Sequence, residues 1–154
     1  MVEAALIFLP LMALLVALID FSLVIFMRST IQFAVREGVR FAITYQTVPG
    51  KGHDDSVKAI VESNSMGFLK NKTSYIKVKY YSPSNLTAPL SGAGSNGPGN
   101  VVEVSIDQLP WSWLAPLQPD YNQKGARKSP FTLNASAADV MQGLPVGQLQ
   151  PPAR

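Results

Sequence analysis

From Ala4 to Met27, 21 of 24 consecutive residues are apolar, interrupted only by Pro10, Asp20 and Ser22. A run of this length matches the ~20 residues that carry a helix across a bilayer core of ~30 Å. A secretory signal has an apolar region of only ~7–15 residues, flanked by a small-residue cleavage site. The run therefore predicts a retained membrane helix. In the rest of the chain only 51 of 130 residues are apolar, low for a globular protein. Two solvents are written into one sequence.

Composition narrows the chemistry. The chain has no Cys, which removes disulfides, thiolate metal sites and thiol catalysis. Its single histidine, His53, removes most zinc and most Ser-His chemistry. The formal charge of +3 lies entirely beyond residue 50, because Glu3, Asp20 and Glu37 balance Arg28, Arg36 and Arg40. Three charges over a hundred residues make no nucleic-acid patch. Ser91 to Gly97 lacks a Gly-Lys-Ser/Thr phosphate grip, and no Ser lies in a Gly-x-Ser-x-Gly elbow. An enzyme is not expected, nor a small-molecule substrate.

Beyond Arg28, apolar residues recur at Ile31, Ala34, Val35, Gly38, Phe41, Ala42 and Tyr45, the stripe of an amphipathic helix. One helix from about Val2 to Thr47 is predicted, with Glu37 placed to pair with Arg40. Pro49, Gly50 and Gly52 stop it. A second helix is predicted from Asp54 or Asp55 to about Leu69, its acids in the first turn and Val57, Ile60, Val61 and Phe68 along one face. Alternation predicts strands at Tyr75–Tyr81 and Val101–Asp107, with Lys77 and Lys79 facing Glu103 and Asp107. A weaker third runs from Phe131 to Ala137 with Phe131, Leu133 and Ala135 inward. Ten of the twelve prolines follow residue 82, so the remainder is expected as loops, with a frayed tail from Pro145 to Arg154. The expected organisation is a helical unit at 1–49 and a small α+β unit at 50–154, marginal unless the projecting half of the first helix completes its core.

Val2-Glu3-Ala4-Ala5-Leu6, Pro10, Ile19-Asp20-Phe21 and Ala34-Val35-Arg36-Glu37-Gly38-Val39-Arg40-Phe41-Ala42 follow one another in register. This order resembles the TadE family of minor pilins or pseudopilins of the tight-adherence (Flp) pilus system. That family typically runs Val-Glu-Phe-Ala, Leu-Pro, Asp-Phe-Gly and Ala-Arg-Glu-Gly-Ala-Arg, so Ala4 and Ser22 stand where it has Phe and Gly. The resemblance implies a pilin-like α+β fold, the long helix packing with a second helix on a small antiparallel sheet of about three strands. It implies a non-enzymatic subunit for Tad/Flp pilus assembly, serving adhesion or related secretion, without cofactor. Its partners would be other pilin or pseudopilin subunits, the assembly machinery and the lipid bilayer. The expected location is the bacterial inner membrane, single-pass, with the C-terminal domain extracytoplasmic or carried into a pilus. Arginines after the span favour the opposite topology under the positive-inside rule. The expectation that reconciles them is a processed or truncated form whose precursor has basic residues upstream. The alternative from another class is a membrane-tethered extracytoplasmic binding module.

Glu3 opens the membrane helix, and the resemblance implies that its carboxylate pairs with the N-terminal amine of a neighbouring subunit. The plainer account is an interfacial acid favoured by the helix N-terminus. Asp20 lies inside the apolar run, where an ionised acid faces protein or water. Either it meets a partner helix or it marks the membrane surface. Pro10 is read as a local bend. Gly38, within Arg36-Glu37-Gly38 and followed by Arg40, costs up to ~1 kcal/mol in a helix relative to Ala. It predicts a close backbone approach, by the domain's own sheet or by a neighbouring subunit. Trp111 and Trp113 are a partner-binding knob, an interfacial anchor or, one or both, a plug at the end of the sheet. His53-Asp54-Asp55 reads as a helix start rather than a cation site. Asn71, Asn85 and Asn134 head glycosylation-type triplets, which are weak signals.

Overall fold

The computed structural model describes residues 2–111 and 131–154, with side chains from Leu6 onward. Helix α1 runs Val2–Ile43 and α2 runs His53–Asn64. Strands β1 Ile76–Ser82, β2 Asn85–Leu90, β3 Val101–Pro110 and β4 Thr132–Val140 form one sheet in the order β2-β1-β3-β4. Every pairing is antiparallel. The fold is α+β, as expected, with four strands rather than three.

At ~1.5 Å per residue the 42-residue α1 is about 63 Å long, and Pro10 sits within it without ending it. It stops at Ile43, four residues before the expected Thr47, because Tyr45 turns to φ 57° and its ring is buried. The Thr44 and Tyr45 N–H groups donate to Phe41 O and Ala42 O, closing the last turn. From Ile31 onward the predicted stripe is the buried face: Ile31, Ala34, Val35, Ala42 and Tyr45 lie in the core, with Phe41 half-buried.

Helix α2 runs antiparallel to α1, its start beside Ala42 and its end beside Phe26. It ends at Asn64, short of the expected Leu69. Ser63, Asn64 and Ser65 bond back to the carbonyls of Ile60 and Glu62, which competes with further helix. Met66 at φ 53° and Gly67 at φ 88° then reverse the chain. Phe68 and Leu69 still pack inward, but from a turn.

Val102, Val104 and Ile106 of β3 are fully buried, as are Ile76 and Tyr80 of β1. The outer face carries the predicted opposite charges: Lys79 stands opposite Glu103, and Lys77 pairs with Asp107 at 3.0 Å. β3 runs three residues past Asp107 through a bulge, where Gln108 at φ 55° lets Leu109 return to the core. Phe131, expected inward, is exposed and precedes β4, whereas Leu133 and Ala135 are buried. β2 was expected as loop. All its residues are exposed, so it buries no apolar face and shows no alternation. Pro89 is tolerated because β2 is an edge strand.

The tail is not frayed. Ala153 O accepts from the His53 N–H at 2.7 Å, Pro152 O accepts from Asn96 Nδ2 at 2.9 Å, and Arg154 pairs with Asp54 at 3.0 Å.

Candidate assembly surface on the long helix

Helix α1 has two environments. From Leu6 to Ile19 nearly every side chain is exposed around the whole circumference, including Leu6, Phe8, Leu14 and Leu18. Among the described residues it is the one helix long and apolar enough to cross a membrane. From Asp20 onward one face is covered by the protein's own chain: Asp20 is 1% exposed, and Val24, Met27 and Ile31 continue that face. Its neighbours Ile19 and Phe21 remain open. An acid at this level is therefore sheltered by its own fold, which lowers the cost it would carry against lipid. The Ser22 and Thr30 hydroxyls donate to Leu18 O and Phe26 O, one turn back along the helix.

Gly38 does mark a close approach. A Cβ built there would overlap the Val61 side chain, with Val57 at 3.7 Å. The approaching element is α2, not the sheet. Arg36 and Arg40 lie on the opposite, solvent side and line a shallow groove with Gln32 and the Ser136–Asp139 stretch of β4. Gln32 Nε2 donates to Ser136 O at 2.9 Å, tying helix to strand. Glu37 and Arg40 form no ion pair, for Glu37 is half-buried while Arg40 points to solvent. The Glu3 side chain lies outside the described residues, as does Trp113. Trp111 is half-buried against the core at the end of β3, which fits the plug better than the knob.

A polar cluster that sequence inspection missed joins α1, α2, β1 and the tail. His53, fully buried, places Nε2 3.2 Å from Ala42 O and Nδ1 2.9 Å from Tyr80 Oη. A carbonyl only accepts, so Nε2 carries the ring proton in the neutral form, and the one Tyr80 hydroxyl proton is shared between two acceptors, His53 Nδ1 and Asp54 Oδ1. Tyr80 Oη also lies 2.8 Å from Asp54 Oδ1 and donates to it, while Arg154 holds the other carboxylate oxygen and stacks 4.8 Å from the Tyr80 ring. The guanidinium also donates to Ser95 Oγ at 2.6 Å. Burial lowers the His53 pKa, with the Ala42 carbonyl and Asp54 pulling weakly the other way. Burial, and then the Asp54 charge, push the Tyr80 phenol far above its usual range. Among the described residues no group of His, Asp and Glu could hold a metal ion. The cluster fastens the fold together. Only the burial of His53 beside acids could have hinted at it.

This geometry can be set beside known proteins. Residues 1–40 match the family model described as TadE-like protein. The matched segment is α1 almost to its end, so the N-terminal helix is TadE-like, and the resemblance carried by Asp20 and Arg36-Glu37-Gly38 stands on the element the fold leaves half bare. Comparison with curated proteins and with solved structures found no match.

Proposed function

We propose that this chain is a non-enzymatic, single-span pilin-like subunit for assembly of a Tad/Flp-type pilus. The observation that carries the proposal is the division of α1 within the TadE-like segment. Leu6–Ile19 is apolar and bare on all sides, whereas Val24–Ile43 is locked into an α+β head. A bare apolar helix needs a bilayer before assembly, and the same surface can be handed to neighbouring apolar helices afterwards. In this account Glu3 meets the N-terminal amine of a neighbour, and Arg36, Glu37 and Arg40 face adjoining subunits or machinery, while Asp20 stays enclosed by its own fold. The head, with Trp111 at one end, stands outside the cytoplasm. Deleting the gene should abolish or sharply reduce Tad pili, counted by electron microscopy, and the full-length chain supplied in trans should restore them. Unchanged piliation in the deletion strain would favour the membrane-tethered binding module instead.

A further inference from the structure

The end of the head nearest the bare helix has its own apolar tip. Helix α2 descends antiparallel to α1, and the turn after it, Ser65–Lys72, reaches the level of Phe26. There the Phe68 ring meets the Phe26 ring edge-on at 6.2 Å. Met66 is 72% exposed, and with Phe26 (49%) and Phe33 (54%) it borders one shallow groove. Lys70 in the same turn is exposed, Lys72 follows half-buried, and Arg28 is exposed on α1.

Position along the helix identifies what covers this tip. Counting the ~20 residues of a membrane core from Leu6 brings its edge to about Ile25, so Phe26 falls at the start of the headgroup layer. On another face the fold already covers Asp20, Val24 and Met27, inside the last turns of the apolar run. The head therefore cannot stand clear of a bilayer that α1 crosses. A tilt of ~20°, common for membrane helices, toward the α2 side would lower Met66 further. Apolar side chains at the acyl boundary with lysines at the phosphates form the usual pattern of interfacial seating.

We infer that the Ser65–Lys72 turn is a membrane-seating tip: Met66, with Phe26, enters the headgroup layer, and Lys70 and Lys72 contact anionic lipid phosphates. The inference rests on the membrane-anchored account above and adds a fixed orientation of the head on the bilayer.

The chain has no cysteine, so single-cysteine variants can each carry one environment-sensitive fluorophore. Full-length Met66→Cys, Ser63→Cys, Leu15→Cys and Lys51→Cys would be reconstituted into phosphatidylcholine vesicles with and without phosphatidylglycerol. Nitroxide lipids, spin-labelled at the headgroup or deep in the acyl chain, serve as quenchers. Positions 66 and 63 should lose most of their fluorescence to the headgroup quencher, more so with phosphatidylglycerol. Position 15 should respond to the deep quencher, and position 51, just before the α2 start that lies beside Ala42 and so about 24 Å beyond the level of Phe26, to neither. Lys70→Glu with Lys72→Glu should remove the phosphatidylglycerol-dependent part, and its persistence would overturn the role of the lysines. Quenching at 15 without quenching at 66 and 63 overturns the seating and leaves the anchor standing. No quenching at 15 removes both. A blue shift at 66 that grows with protein density but resists lipid quenchers would show a second copy covering the tip, and would also overturn the inference.

Discussion

His53 is held neutral by burial, and this gives a pH dependence with a definite sign. Its pKa is lowered in the folded state, while in the unfolded chain it stays near ~6.5. The unfolded state therefore binds more protons, so the stability contributed by the neutral ring is present above ~6.5 and is lost as pH falls toward the folded value. Denaturant titrations of the detergent-solubilised protein should show declining stability below about pH 6.5. A His53→Gln variant should lack that slope, even if it is less stable throughout. Asp20 makes a second test at this scale. Asp20→Leu should preserve membrane insertion, since it removes a polar group from an apolar run, and should lower the stability of the folded head, since the carboxylate is enclosed by the protein's own chain. An unchanged unfolding midpoint for an inserted Asp20→Leu protein would show that the enclosed carboxylate does not hold the head together. Asp20 and Gly38 could be found in the sequence because each breaks a regular helical pattern. His53, Tyr80, Asp54 and Arg154 could not be associated, because only the topology brings four distant positions together.

At the level of elements, the α1–α2 contact depends on a missing side chain. Gly38 lets Val61 approach the α1 backbone, and Val57 packs alongside. Gly38→Leu should destabilise the folded head by roughly 1–3 kcal/mol through overpacking. Chemical denaturation followed by circular dichroism measures this, and an unchanged midpoint would show that α2 gives way freely. The elements that bury one face were legible: α1, the core of α2, β1 and β3 all show their period. β2 was not, because Asn85–Leu90 is exposed throughout and its strand form comes from pairing with β1 alone. The end of α2 was misjudged for a different reason. Phe68 continues the helical spacing, yet serine and asparagine side chains stop the helix before it, and a turn delivers the same ring to the core. The tail, rich in Pro and Gly, looked loose and is fixed by partners that its own composition does not reveal.

The whole molecule is a bare apolar rod joined without a break to a small head whose core includes the second half of that rod. Val24, Met27, Ile31, Val35 and Ala42 belong to the same cluster as Val57, Tyr80, Val104 and Leu133. Rod and head therefore share one core at their junction, and under the proposed pilus role the helix would leave lipid with its head attached. The central claim is that the head stands outside the cytoplasm while the apolar first half of α1, to about Ile25, crosses the membrane. The most direct test fuses, through a flexible linker after Arg154, a reporter active only outside the cytoplasm, expressed from the native locus. The account predicts strong reporter activity, with a cytoplasm-dependent reporter at the same site silent. The reverse pattern, as the arginines after the span would favour, would contradict the pilin account.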